Sequence, residues 1–561
     1  MTAPSRDEES SAACKRENSC DDSARKLADS PRRASVLFIL YLALSFIGGL
    51  LAGFALCFAL RSAYRPCGSP GPAQARLAAR PPPTIPGSKT SHIHPPPSPT
   101  NALPFLFPTN VGYAGATPTG AEPGLLATAP SYPIHTGAPQ LVTEPVLGES
   151  DDDFDIFRHW GNLSPWFSVG SFGLDTTPDA PDGCTVTGLH FLHRHGARYP
   201  TMDGKRPVPV QTFNNSLPVF RTESEDRMLH SALNFAAGFF GIPYEDQYLQ
   251  SITIEASGFN NTLAPYSTCV STPADIGLHL DSLRLRCNNA NDPAKGSRGD
   301  AYTTQWTNIY LADALDRLKS QIEGIPLSTA DVYAFQQLCA YETVAIGYSK
   351  FCSLFTEDEW RGFQYALDLG FWYNSAFGSP VARAQGVGYV QELIARLTQT
   401  PITIHNTTTN STLNDNPAMF PLKNALYVDA THEVVVLNII TALNLSNFAA
   451  SGPLPADHIL PNRSFNSAQL APFGTNMQFQ VLSCLSKPRP QIRIIINDAV
   501  TPLTGISGCP EDPDGMCPVQ TFVAAQSKII QETDWAYDCL GNWTVPAGAA
   551  WSTTTGDAPR Y

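Results

Sequence analysis

Residues 185–201 read TVTGLHFLHRHGARYPT, and the reading of the whole chain turns on them. As far as His195 the stretch has the apolar density of a buried strand, and Gly196 then breaks it. Further along, RMLHSALNFAAGFFG (227–241) has helical spacing closed by a glycine, and QIRIIINDAVTPL (491–503) reads as a second buried strand broken by turn residues. Strands that end in polar loops and pass into helices predict an α/β fold: a large domain with a central sheet flanked by helices, its site at the strands' carboxyl ends. The stretch from about 255 to 375 is mostly helical and predicts a smaller helical domain inserted in a body that spans 150–561. No internal repeat is present.

The first strand runs out into Arg194-His195-Gly196-Ala197-Arg198-Tyr199-Pro200. A phosphoryl group in transit spreads negative charge over its equatorial oxygens, so its transfer calls for forked donors and an in-line nucleophile. Two arginines flanking a histidine, beside a glycine that admits backbone to the ligand, supply those parts. A lone Arg-His pair would read as a basic surface turn; this longer string does not. His190, His193 and His195 also raise a zinc alternative, with His193 and His195 on one strand face. That alternative has no downstream ligand at metal spacing and leaves two arginines beside a cation, so no metal is assigned.

Working outward, the flanks differ sharply from the body. Residues 1–35 are polar and charge-mixed and predict a disordered cytosolic tail. Val36 to Leu60 carries no charge and exceeds the ~20 residues a helix needs to span a bilayer, so it predicts a transmembrane signal anchor rather than a cleaved signal peptide. Residues 61–149 are a stalk in which many of the 49 prolines crowd, as in RPPPTIPGSKTSHIHPPPSP. Flanking charge leaves orientation open, with Arg25, Lys26, Arg32 and Arg33 before the span and Arg61, Arg65, Arg76 and Arg80 after it. Acceptor sequons at Asn162, Asn214, Asn260, Asn406, Asn410, Asn444, Asn462 and Asn542 all follow the span and favour a type II protein with a lumenal or extracellular body, at the cell surface, in the secretory pathway or in the vacuole. Cys184, Cys269, Cys287, Cys339, Cys352, Cys484, Cys509, Cys517 and Cys539 lack CxxC pairing and read as disulfides, with one thiol over or paired with Cys67. A net charge of -14 argues against nucleic acid as a partner, yet leaves room for a small anion where a few arginines converge.

HRHGARYPT (193–201) resembles the nucleophile motif of the histidine acid phosphatases, branch two of the histidine phosphatases, and of their fungal phytase-like group in particular. The resemblance runs over about residues 180–545. It implies His195 as nucleophile and Arg194 and Arg198 as phosphate ligands. FRTESEDRMLHSALNFAAGF (220–239) is similar to the family's next arginine-bearing segment, which implies Arg227 as a further phosphate ligand and leaves Arg221 a structural role. The family's His-Asp pair matches His432-Glu433 here, implying His432 as a phosphate ligand and Glu433 as the acid that protonates the leaving oxygen. Aspartate has become glutamate, which moves the carboxyl outward; Asp429 is the nearest alternative carboxylate.

The same resemblance implies disulfides Cys184–Cys484, Cys269–Cys539, Cys339–Cys352 and Cys509–Cys517, with Cys287 left odd. It further implies a phosphohistidine mechanism that needs no cofactor, acting on phosphate monoesters. Phytate and small monoesters stand level as substrates; Lys205 and Arg206 are the only candidates offered for a phytate rim, and ordinary surface charge is the plainer reading of both. Two other classes remain beside it: a weak or inactive phosphatase-fold surface binding protein, suggested by Glu433, and a mutase-like phosphotransferase. Oligomeric state is not legible, nor is cleavage of the stalk.

Overall fold

In the computed structural model, residues 145–148, 153–196, 217–241, 244, 247–255, 259–266, 287–322, 324, 326–546 and 552–560 are described. The 36–60 segment, nearly all of the stalk, Arg198, Lys205, Arg206 and Cys269 therefore lie outside the described residues. Among the described residues no helix is long and apolar enough to cross a membrane.

One mixed sheet organises the body. Its strands are β1 (Cys184–Arg194), β2 (Val219–Glu223), β3 (Leu249–Thr253), β4 (Leu426–Thr431), β5 (Asn476–Cys484), β6 (Gln491–Ile496), β7 (Ala499–Thr501) and the short β8 (Cys517–Pro518). The spatial order is β3-β2-β4-β1-β5-β6-β7, with β8 also on β6. The strands β3, β2, β4 and β1 are parallel, whereas β5, β6, β7 and β8 pair antiparallel. Every residue of β4 is buried, as is the second half of β1, which explains why both read as apolar runs rather than alternating ones. The 491–503 stretch is in fact a hairpin of β6 and β7. Asn497 and Asp498 turn it with φ of 47° and 71°, a left-handed pair that short polar side chains tolerate.

The helices of eight or more residues are α1 (Asp226–Phe240), α2 (Gly299–Tyr310), α3 (Ala312–Lys319), α4 (Thr329–Ile346), α5 (Glu357–Ser375), α6 (Ala382–Thr398), α7 (Glu433–Ala442) and α8 (Val519–Glu532). Helix α1 stops at Gly241, whose φ of 77° ends it at the glycine expected from the sequence. Helices α2 to α6 fill the chain between β3 and β4. Helix α5 starts on a reciprocal cap, in which Thr356 accepts from the Glu359 amide and the Glu359 carboxylate accepts from the Thr356 amide. Helix α7 is apolar nearly all round and sits in the main core, with Val435, Val436, Leu437, Ile439 and Ile440 packed among residues of α5, α6, β5 and β6. It crosses α6 so closely that a Cβ at Gly386 would meet the Asn438 carbonyl oxygen, so the two helices pack backbone against backbone there.

Among the described residues four disulfides staple the body, three of them as the resemblance implied. Cys184–Cys484 joins residues paired across β1 and β5, while Cys339–Cys352 and Cys509–Cys517 close short loops. The fourth corrects the expectation: Cys539 bonds Cys287, not Cys269. Both partners are buried in a small cluster with Trp535 and Trp543, and their Cα atoms lie 4.1 Å apart, so packing selects the pair. Cys287 is thus not the odd thiol.

Disulfide mapping of the secreted chain by mass spectrometry should yield a linked Cys287–Cys539 peptide. Cys287→Ser should lower stability by roughly 2–5 kcal/mol in a thermal or denaturant melt. A Cys269–Cys539 peptide in its place would overturn the assignment.

Candidate active site

Two adjacent parallel strands deliver the central residues. In the β1–β4 pairing Arg194 lies opposite Thr431, so the next residues, His195 and His432, leave the sheet side by side at its carboxyl edge. The His195 amide donates to the Thr431 carbonyl at 3.0 Å, and the His195 carbonyl accepts from the Gly474 amide at 3.2 Å, which holds the residue after the strand ends. The two imidazole rings sit 5.6 Å apart, centre to centre, at 71°. His432 is the N-cap of α7 and Glu433 its first residue, which sets a carboxylate against the helix's amino end.

Glu433 reaches back across the site. Its Oε2 lies 2.9 Å from Arg194 Nε and 3.5 Å from His195 Nε2, and its Oε1 accepts from Asn162 Nδ2 at 3.2 Å. Arg194 is buried; its Nη1 donates to the Asn162 and Ala471 carbonyls, and its guanidinium lies 4.4 Å from the Phe473 ring centre. Burial would raise the Glu433 carboxyl, but Arg194 and His195 outweigh it and hold it well below the usual carboxylate range. Burial, with Arg194 and His432 nearby, lowers His195 to about 4, so its ring is neutral in mild acid and above.

Around His432 the pattern reverses. Its Nε2 lies 2.7 Å from Glu223 Oε2, 3.3 Å from Glu255 Oε2 and 3.7 Å from Glu225 Oε2. Burial alone would lower this ring, yet Glu223 and Glu255 push it up to about 9. Arg227, in the first turn of α1, is half exposed and pairs with Glu225 at 3.0 Å. The structure therefore brings together Arg194, His195, His432 and Glu433, with Arg227 tied in through Glu225; Arg198 lies outside the described residues. Two triplets bring metal-type donor atoms within 4.8 Å of one another, His195–His432–Glu433 and Glu223–Glu255–His432. Both include His432, whose ring the neighbouring carboxylates favour in the protonated form, so a cation there would have to displace that proton.

The other sequence candidates are accounted for by packing. His190 stacks on Tyr427 at 4.7 Å and His193 on Phe235 at 5.0 Å, so neither joins His195 as a ligand set. Asp429 is fully engaged: Arg221 Nε and Arg396 Nη1 each lie 2.6 Å from its carboxylate, and Tyr389 donates at 3.1 Å. Arg221 also pairs with Glu392 at 2.9 Å, in keeping with the structural role expected of it. Burial works against the Asp429 charge, but the two guanidiniums hold its carboxyl far below the ordinary range, so it has no proton to give. Sequence reasoning missed Asn162, read only as a glycan acceptor, although its side chain is hydrogen-bonded to Glu433. It also missed Glu223, Glu225 and Glu255. Three glutamates beside an anion site carry no motif, and nothing short of the β2–β3 pairing shows that they converge.

A family model described as histidine phosphatase superfamily (branch 2) matches residues 210–497. The chain belongs to that superfamily. It is 30% identical over 472 residues to Phytase A of Emericella nidulans, covering 72% of this chain and 95% of that one. Phytase A of Aspergillus awamori is 29% identical over 446 residues, 67% of this chain and 89% of its own. The crystal structure of the phytase from D. castellii superposes with a TM-score of 0.51 at 21% identity, covering 71% and 90% of the two chains, and supports the histidine phosphatase fold. The model match includes Arg227, His432 and Glu433; Arg194 and His195 precede it.

Asp429→Asn leaves two buried guanidiniums facing a neutral amide, and the expected loss of stability is about 3–5 kcal/mol. Thermal unfolding would measure it. In the fraction that stays folded, the dependence of rate on leaving-group basicity should match wild type, which would not hold if Asp429 were the acid.

Proposed function

We propose that this phosphatase hydrolyses phosphate monoesters through a phosphohistidine at His195. The observation that carries the reading is a Glu433 carboxylate set between Arg194, 2.9 Å from its Nε, and the buried His195 imidazole, 3.5 Å from its Nε2. In the first step the His195 ring nitrogen attacks phosphorus, the P–O bond to the alcohol breaks, and Glu433 gives the leaving oxygen a proton. In the second, water attacks the phosphohistidine, Glu433 takes the water's proton, and inorganic phosphate leaves with His195 restored. Arg194, Arg198, Arg227 and His432 balance the charge on the transferring group.

Glu433 is ionised while Arg194 Nε engages it, so an acid role requires substrate to change its surroundings. A phosphate that takes up the Arg194 donors brings its own negative charge beside Glu433, and like charge raises a carboxyl's pKa. Substrate binding thus loads the acid at the moment it is needed.

Inositol polyphosphates are the proposed substrate class by way of the phytase relatives, with smaller monoesters accepted by the same chemistry. Four disulfides suit an oxidising compartment. Residues 36–60 are proposed to anchor the chain as a type II membrane protein, the body standing off on its proline-rich stalk.

The test is phosphate release from phytate and p-nitrophenyl phosphate by the secreted full body, with EDTA present. Wild type should be active, His195→Ala should be inactive, and Glu433→Gln should lose roughly 10²- to 10⁴-fold on alkyl esters but much less on the nitrophenyl ester, whose leaving group needs no proton. Because His195 must be neutral to attack, kcat/KM should fall as pH drops through about 4. Metal-dependent release, or release that survives His195→Ala, would sink the mechanism.

A further inference from the structure

His195 and His432 are near neighbours in one site, both buried, yet one is neutral and the other cationic across mild acid and neutral pH. The difference has a visible source. Strands β2 and β3 are parallel neighbours with Glu223 opposite Thr253, so the chain leaving both strands converges beside His432. The Ser224 amide donates to the Thr253 carbonyl, and the Glu255 amide donates to Ser224 Oγ, each at 3.0 Å, which pins Glu255 against the end of β2. Glu223 is wholly buried, and its Oε1 meets no hydrogen-bond partner among the described residues.

The groups facing His432 from the elements around it are Glu223 at the end of β2, Glu225 at the start of α1 with its partner Arg227, Glu255 after β3, Tyr266, and His195 with the Arg194–Glu433 pair. Of these, Glu223 and Glu255 are the closest carboxylates. Burial pushes the Glu223 carboxyl well up, so it holds a proton. Burial would also raise Glu255, but bonds from His432 and Glu223 bring it down to about 2. The resulting set is one neutral acid, one carboxylate and one imidazolium, which balances a buried cation without cancelling it twice.

We infer that Glu223 and Glu255 are positioning residues which fix His432 as an oriented imidazolium and so divide the two histidines into a nucleophile and a cationic phosphate ligand. The inference rests on the phosphatase reading for its purpose, but not for its measurement. It goes beyond charge balance: a carboxylate near an anion site repels phosphate at every pH, so its presence is useful only where it keeps His432 charged. Removing the Glu255 charge should therefore act in opposite directions at the two ends of the pH scale. In acid, where His432 is protonated regardless, phosphate should bind more tightly. Toward and above neutral pH, where the ring then loses its proton early, phosphate should bind less tightly.

The experiment is calorimetric binding of inorganic phosphate to the full body from pH 5 to pH 8.5 for wild type, Glu255→Gln, Glu255→Asp and Glu223→Gln. Comparing variants at each pH cancels the ionisation of phosphate itself. The expected result is crossing curves: Glu255→Gln binds at least about threefold tighter than wild type at pH 5 and about tenfold weaker at pH 8, with Glu255→Asp restoring the wild-type profile. Glu223→Gln removes no charge where Glu223 holds its proton, so it should not tighten phosphate binding at pH 5, and Glu255→Gln, at a partly exposed position, decides the matter. Parallel curves, displaced by the same factor at all pH values, would overturn the inference. Wild type that binds phosphate with the expected profile yet releases none from esters would overturn the hydrolase reading and leave this one standing.

Discussion

Everything at the site depends on the hydrogen-bonded register between β1 and β4. Two parallel strands end level with each other, and the residues immediately beyond them are His195 and His432. A slip of one residue would turn every side chain of one strand to the other face and separate the pair. Several features guard that register. The Cys184–Cys484 bridge pins β1 to β5, the buried Asp429 in β4 is gripped by Arg221 from β2 and Arg396 from α6, and α7 packs on α6 with no room for a Cβ at Gly386. The buried ion pairs are therefore best understood as alignment of strands; their net contribution to stability is offset by desolvation.

The electrostatics of the site are more balanced than an anion-binding pocket requires. Arg194 is matched by Glu433, Arg227 by Glu225, and His432 by Glu223 and Glu255. A pocket of unopposed cations would bind phosphate tightly but would also hold the product and strain the fold through self-repulsion. Pairing each cation with a carboxylate keeps the resting structure neutral and makes substrate compete for the donors. In the mechanism we propose, that competition has a chemical consequence for Glu433, since losing Arg194 to a phosphate would let the carboxyl carry a proton.

The departure from aspartate to glutamate at position 433 is accommodated locally. Its side chain starts from the first residue of α7 and is met by Asn162, which arrives from a segment far away in sequence. Asn162 also presents its carbonyl to Arg194, so one residue braces both members of the Arg194–Glu433 pair. The same Nδ2 is the atom a glycan on this acceptor triplet would take, which would leave it a single proton for the bond to Glu433.

The sequence by itself was enough for the strand that ends in Arg194 and the helix closed by Gly241, because each is a local pattern of polarity and turn residues, whereas the His195 motif and the His432-Glu433 pair were singled out by their resemblance to a family. It was also enough to single out the apolar 36–60 stretch, which depends on composition alone. What only the tertiary structure decided are the pairings between distant segments. Cys539 chose Cys287 through a shared tryptophan cluster, Asp429 was taken out of contention as an acid by two arginines from β2 and α6, and three glutamates came to surround one histidine because β2 and β3 lie parallel beside β4. Protonation states belong to this second group as well. Two histidines of identical intrinsic chemistry differ here because burial lowers both and only at His432 do the neighbouring carboxylates outweigh it, and no local pattern in a chain records which neighbour folding will bring.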